Sequence, residues 1–138
     1  MMSVAASALC IAIDGMDQAK FKLPRVRSRQ SKLFQKLFRP RLHVAATWVH
    51  GHNITFAVSD EDCKKDSVAQ CELISRAIDQ ILLRCGGLPH GCVVQMDNTA
   101  REGKNQFFMA YLAMTVALGS FRWTIANYLR VGHRPLAN

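Results

Sequence analysis

Short β-rich runs alternate with two helical stretches in the second half of this chain, and that alternation most constrains its fold. An apolar stripe at helical spacing runs over residues 71–85 and ends at Gly86, and a second apolar stretch continues to about residue 118 before Gly119. The runs 92–96 and 121–131, between and after them, are typical of strands. Strands that alternate with helices pair in parallel through right-handed crossovers, so this half predicts the parallel part of a sheet.

The first half of the chain predicts three further strands. An apolar run ends at Ile13, before the turn dipeptide Asp14-Gly15, and two β-rich runs, 42–50 and 54–58, flank Gly51 as in a hairpin. The predicted order is therefore β-β-β-α-β-α-β, an α/β fold with a mixed five-stranded sheet and helices on its faces. RNase H-like domains have this order, which is an analogy of fold and does not establish activity.

Polar residues before each helical stretch indicate where the helices begin. The segment 59–62 combines a serine with three acids, which favours a helix start there, and Asn98 and Thr99 are candidate caps for the second helix. Because the second helix is apolar nearly all round, we expect it to be well buried.

Length and composition predict one globular domain. A chain of 138 residues with 49% hydrophobic and 20% charged residues suits a single domain over residues 1–138. Its apolar runs fall short of the ~20 residues that a membrane span needs, so no membrane association is expected. Five cysteines without a C-x-x-C pair favour reduced thiols packed as small hydrophobes, and hence an intracellular protein.

The net charge of +8 is concentrated in one basic loop, residues 18–41. Nine of the eighteen Lys and Arg residues lie there, and no acid occurs between residues 18 and 59. Such a block is either a solvated loop or a surface that binds a polyanion. The natural polyanion is nucleic acid, and we expect DNA first. A DNA-binding protein would match a location in the nucleus. The candidate phosphate-binding residues are Lys20, Lys22, Arg25, Arg27 and Arg29.

Two acids stand at the ends of predicted strands, Asp14 after the first and Asp97 after the fourth. If these strands are neighbours, the carboxylates converge into a site for Mg²⁺ or Mn²⁺, the ions that prefer oxygen ligands. Such ions can support phosphodiester cleavage or strand transfer. The structural alternatives are that Asp14 forms a turn and that Asp97 helps to cap a helix. Asp17 or Glu102 could add a third carboxylate to this site. The alternatives are that Asp17 is a solvated acid in a turn and that Glu102 interacts with the helix dipole.

The histidines and the remaining sequence signatures give weaker indications of a functional site. The His50-x-His52 pair has a spacing that can hold zinc on one strand face, but no third or fourth ligand is evident from the sequence. His133 follows the end of the last predicted strand, and we expect it to be a surface histidine. Phosphate-loop, dinucleotide-binding and serine-hydrolase signatures do not occur.

Two longer motifs resemble a family of eukaryotic domains of unknown function that is thought to be transposase-derived and RNase H-like. The first is Asp14-Gly15-Met16-Asp17-Gln18-Ala19-Lys20-Phe21, with Pro24 beyond it. The second is Gln95-x-Asp97-Asn98-Thr99-x-Arg101-Glu102-x-Lys104-Asn105, followed later by Gly132-His133. The resemblance implies that Asp14 and Asp97 are the first two acids of a transposase-like catalytic site.

The chain departs from this family pattern at several positions. Ala100 stands where the family usually has Cys, Gly103 where it has Asn, and the acids and final helix expected after His133 do not follow. We therefore expect a C-terminally truncated RNase H-like domain that binds nucleic acid through a partial two-aspartate site with impaired catalysis. The alternatives are an active metal-dependent nuclease, and a non-catalytic interaction module completed by a protein partner or a second copy.

Overall fold

The computed structural model describes residues 8–15, 42–60, 62–97 and 104–129. These residues form a mixed α/β fold whose element order confirms the predicted one. The elements are β1 (Ala8–Gly15), β2 (His43–Val49), β3 (Asn53–Ser59), α1 (Ser67–Cys85), β4 (Gly91–Met96), α2 (Gln106–Ala117) and β5 (Trp123–Tyr128). The whole basic loop, the motif residues 98–103 and Gly132-His133 lie outside the described residues.

The five strands form one mixed sheet in the order β3-β2-β1-β4-β5. Strand β2 pairs antiparallel with β1 and β3, whereas β4 pairs in parallel with β1 and β5. Four strands, β1, β3, β4 and β5, therefore end on the same side of the sheet, which we call the carboxyl edge. The mixed five-stranded sheet predicted from the sequence is confirmed.

Both described helices pack on one face of the sheet. Ile74 and Ile81 of α1 and Phe108 of α2 are buried against Ile11 and Val94 of the two central strands. We call this side the helical face; on the strands it carries Leu9, Ile11, Ile13, Thr47, Val49, Cys92, Val94 and Met96. The alternate residues of each strand point to the opposite side, which we call the open face.

The helix starts differ from the predicted ones. The Asp66 side chain caps α1 by accepting hydrogen bonds from the Val68 and Ala69 amides at 3.0 and 3.2 Å, so the predicted start at residues 59–62 is wrong. Asn105 caps α2 and accepts from the Phe108 amide at 3.0 Å, so the helix does not begin at Asn98 or Thr99. In both cases several polar residues compete for the cap, and tertiary packing selects the one next to the buried stretch.

Helix α2 is buried on one side only. Phe108, Leu112 and Thr115 are buried, but Phe107 is 70% exposed and Met114 is half exposed. The prediction of a well-buried helix is therefore wrong. Composition all round a helix does not determine which side meets the sheet, and the described neighbours of α2 cover just that one side.

Candidate functional site

Asp14 and Asp97 stand at the carboxyl ends of the paired central strands β1 and β4. The ladder between these strands ends where Ala12 pairs with Gln95, and Asp14 and Asp97 each follow two residues later. Paired strands lie about 4.8 Å apart, so this register allows the two carboxylates to converge. Their convergence itself stays a prediction.

Both carboxylates belong to the same face. Ile13 and Met96, which precede them, are buried on the helical face, so alternation directs Asp14 and Asp97 toward the open face. Both residues are exposed. They are therefore accessible to an ion or a large ligand approaching from solvent.

Two lysines lie at the same edge but on the helical side of the sheet, whereas the two acids point toward the open face. The Lys65 ammonium comes within 3.3 Å of the position that a Cβ on Gly15 would take, which places it beside the end of β1. On the other flank, the Lys104 ammonium lies 5.6 Å from the centre of the Tyr128 ring, and Tyr128 pairs with Met96 at the end of β4. Burial raises the pKa of the Tyr128 phenol, so this ring remains neutral under the cation. The edge thus carries carboxylates toward the open face and cations on the helical side.

Lys65 was missed by sequence reasoning. Its position beside Gly15 depends on the approach of the loop before α1 to the end of β1, about 50 residues earlier in the chain. The local signal, two lysines within an acid-rich segment, is typical of a solvated loop. A lysine so far from Asp14 in sequence becomes part of the edge through tertiary structure alone.

A cavity of about 230 Å³ opens beside the same edge, between α1 and the helical face. Its floor exists because three small residues, Gly15, Ala45 and Ala57, stand in register across β1, β2 and β3. Lys65 contributes to its rim, and Nδ1 of His43 is buried in its wall without a hydrogen-bond partner among the described residues. The cavity therefore adjoins the acids but lies on the other side of the sheet.

Most of the remaining predicted site residues are not tested by the structure. The phosphate-binding candidates Lys20 to Arg29, together with Asp17, Glu102 and His133, lie outside the described residues. His50 and His52 fall in the turn after β2 and not on one strand face, and His50 stacks on Trp48 with ring centroids 4.1 Å apart. Within residues 8–15, 42–60, 62–97 and 104–129, no group of three or more His, Cys, Asp or Glu residues is placed to hold a metal ion.

The two acids nevertheless have the donor chemistry for a divalent ion. Carboxylate oxygens are the ligands that Mg²⁺ and Mn²⁺ prefer, and these ions keep several waters when bound by one or two carboxylates. Asp14 and Asp97 would hold such an ion, which when bound supplies a Lewis acid for phosphodiester chemistry.

Comparison with known families and structures gives one match. A model described as a domain of unknown function (DUF7869) matches residues 32–134, which covers β2 to β5 and Asp97, whereas β1 and Asp14 precede it. No curated protein and no solved structure matches the chain. No helix in the described part of the chain is long and apolar enough to cross a membrane.

Proposed function

Since the chain belongs to the DUF7869 family of domains of unknown function, we propose that it is a transposase-derived, RNase H-like domain that binds nucleic acid. The observation that carries this proposal is the parallel pairing of β1 with β4, whose carboxyl ends are followed by Asp14 and Asp97. The sheet order β3-β2-β1-β4-β5, with one antiparallel half and one parallel half, supports the RNase H-like assignment. The motif resemblance given above supports the transposase origin.

Nucleic acid is the proposed partner because the sequence that follows β1 is strongly basic and two further cations lie at the carboxyl edge. Lys65 and Lys104 lie there on the helical side, and Lys20 comes only five residues after Gly15 in the sequence. Lysine and arginine side chains neutralise phosphates and release counterions, so binding of duplex DNA should weaken steeply with salt. An intracellular location, the nucleus included, goes with such a partner.

Catalysis in the proposed domain is impaired. A metal-dependent transfer needs a third carboxylate in the transposase-like arrangement, and the described residues at this edge supply two acids. Binding of Mg²⁺ or Mn²⁺ by Asp14 and Asp97 should therefore be weak and easily reversed. An active nuclease remains the alternative function and would obtain its third acid from Asp17, Glu102 or another chain.

A metal titration tests the two-aspartate site. Isothermal titration with Mn²⁺ should show binding to the wild-type chain that is weakened at least about tenfold by Asp14→Asn or Asp97→Asn, since each removes one of two charged ligands. Asp79→Asn, an exposed aspartate on α1, is the matched control and should bind Mn²⁺ as the wild type does. Equal Mn²⁺ affinity in all four proteins would refute the site.

A DNA titration tests the basic loop separately. Fluorescence anisotropy with a labelled duplex should give micromolar binding at low salt, lost near about 200 mM salt. Arg25→Gln should lower the slope of log K against log salt by about 0.9, the contribution of one phosphate contact. Arg84→Gln, at the end of α1, should leave the slope unchanged; absence of binding at low salt contradicts the nucleic-acid function.

Plasmid incubation distinguishes impaired from active catalysis. With Mg²⁺ or Mn²⁺, the proposed domain should leave plasmid DNA intact. Cleavage that Asp97→Asn abolishes would establish the nuclease alternative, whereas cleavage that persists in Asp97→Asn would indicate a contaminating enzyme.

A further inference from the structure

The cavity of about 230 Å³ on the helical face is a gap between helix α1 and the sheet. On the sheet side its floor is formed by Gly15, Ala45 and Ala57, none of which carries a side chain larger than a methyl group. On the helix side, Ala69 and Leu73 line it. Larger core residues set the spacing between α1 and the sheet, so small residues on both sides leave a gap that a flat group can enter.

The charged side chains that line this cavity are mainly cations. Lys64 and Lys65 line it from the loop before α1, and Arg76 lines it from the helix. The one described acid in the lining, Glu72, is already paired, since its Oε1 accepts a hydrogen bond from Nε of Arg76 at 2.7 Å. Three cations and one paired carboxylate suit an anionic ligand.

The described acids of the loop before α1 do not line the cavity. Asp60 accepts a hydrogen bond from the Cys63 amide at 3.3 Å, and Asp66 accepts from the first amides of α1. Asp62 is exposed and is not part of the lining either. An acid-rich segment therefore contributes its lysines, and not its described acids, to the wall of the cavity.

Two polar groups of the wall can form hydrogen bonds with a ligand. Nδ1 of His43 is buried and has no hydrogen-bond partner among the described residues. Ser59, which pairs with His43 across β2 and β3, also lines the cavity, and its hydroxyl can donate or accept. A buried polar atom without a partner is unfavourable, so a ligand that bonds to Nδ1 gains affinity from it.

The volume limits the ligand to a small one. Sites for drug-sized ligands have about 300–1,000 Å³, and this cavity lies below that range, so it suits a single ring system. The gap between small residues accepts a flat ring, and the polar wall groups can bond to its edge. Lysine ammonium groups bind phosphate as point charges. A flat ring with a polar edge and an attached phosphate is a nucleotide.

We propose that this cavity binds one nucleotide, with its base between Ala57 and Ala69 and its phosphate on Lys64 and Lys65. The inference rests on the proposed nucleic-acid function for the source of the nucleotide, which is an unpaired nucleotide of the bound strand. Proteins commonly recognise nucleic acid by placing an unstacked base in such a pocket. Gly15, in the floor, directly follows Asp14, so the cavity adjoins the edge that carries the proposed metal site.

The wild-type chain carries a reporter for occupancy of the cavity. Cys63 is exposed and lines it, whereas Cys85, at the other end of α1, is exposed and does not. Adenosine monophosphate should slow the alkylation of Cys63 by iodoacetamide and leave that of Cys85 unchanged, as measured by peptide mass spectrometry. Adenosine, which lacks the phosphate, should need about tenfold higher concentration, because a hydrogen bond to a charged group is lost.

Two variants with matched controls separate the base from the phosphate. Ala57→Leu should abolish the protection of Cys63 because its larger side chain fills the gap, whereas Ala117→Leu, at an exposed alanine of α2, should not. Lys64→Gln should weaken binding of adenosine monophosphate by about tenfold and leave that of adenosine unchanged. Arg84→Gln, the same change in charge at the far end of α1, should affect neither.

Two results would overturn the nucleotide site. One is alkylation of Cys63 at the same rate with and without adenosine monophosphate. The other is protection by inorganic phosphate as strong as that by adenosine monophosphate, which would mean that the cavity binds an anion and has no place for a base. Because both measurements use the wild-type chain, they hold even if Ala57→Leu fails to fold.

Two DNA duplexes, one blunt and one with a single-stranded extension, test the source of the nucleotide. At low salt both should bind in fluorescence anisotropy, and the extension alone should protect Cys63. Binding of both without protection would overturn the strand as the source and leave the nucleic-acid function intact; protection by adenosine monophosphate would then identify a free mononucleotide as the ligand. If neither duplex binds, the nucleic-acid function itself is refuted.

Discussion

The two faces of the sheet differ in what covers them more than in what they are made of. On the helical face, Ile11 and Val94 are sealed from solvent under α1 and α2. On the open face, residues of the same chemical type, such as Phe56 and Ile125, are more than half exposed. The alternation of residues along a strand therefore predicts which side of the sheet is apolar, but it does not predict what packs against that side. The helical face therefore stabilises the fold, and the open face is available for association.

The largest expected effect comes from truncating a phenylalanine on each side. Phe108→Ala should lower the free energy of unfolding by about 3–5 kcal/mol, because it leaves a cavity in the core beneath α2. Phe56→Ala, in dilute protein, should change it by no more than about 0.5 kcal/mol, because that ring is already largely in water. Urea denaturation measures both values. Similar losses in the two variants would show that the open face is buried within one chain.

A second difference concerns Gly91, where the Trp123 side chain packs directly on the open face of β4. The Trp123 indole occupies the space that a Cβ on Gly91 would need, so Gly91→Ala forces the ring to move. Overpacking of this kind should cost about 1–3 kcal/mol in thermal or chemical denaturation. Gly87→Ala is the control, since nothing lies within 4 Å of its added methyl group.

A double-mutant cycle sharpens this result. In the Trp123→Ala background, the cost of Gly91→Ala should largely disappear, because the methyl group then has room. A cost that persists without the indole would mean that the backbone around β4, and not the ring, rejects the methyl group.

The polar contact beneath β3 should have a smaller effect. Gln80→Ala removes the shared acceptor of Asn53 and Thr55 and should cost about 1–2 kcal/mol, the usual range when partly buried donors lose a partner. Gln106→Ala, at the exposed start of α2, serves as control and should be close to neutral. If Gln80→Ala were equally neutral, the polar side of β3 would not contribute to its packing on α1.

The contrast between the faces also shows what the sequence could predict. Alternation and turn residues were sufficient for the strands, the hairpin and the parallel pairing of β1 with β4, because these depend on local pattern and on general rules of chain connection. They were insufficient for the burial of α2, since an all-apolar helix has no local signal for its inward side. The position of Lys65 beside Gly15 depends on a contact between distant segments. No local periodicity encodes such a contact.

The smallest expected effect compares two thiols on adjacent strands, Cys92 on the helical face and Cys10 on the open face. Burial, with a smaller effect of Cys10, raises the pKa of the Cys92 thiol above its ordinary range, to about 12. In the unfolded chain Cys92 ionises near its ordinary pKa, whereas the folded chain keeps it neutral. The neutral thiol therefore stabilises the fold fully below pH 9, and this contribution is lost as the pH rises toward 12.

The consequence is measurable as the pH dependence of stability. Between pH 8 and pH 10, Cys92 should account for a loss of about 1 kcal/mol in the free energy of unfolding. Urea titrations of wild type and Cys92→Ala at both pH values isolate this loss, because other titrating groups contribute equally to the two proteins. The variant should start less stable and lose less on going to pH 10. Cys10→Ala, which removes an exposed thiol from the open face, is the matched control. Identical slopes in all three proteins would contradict the contribution assigned to Cys92.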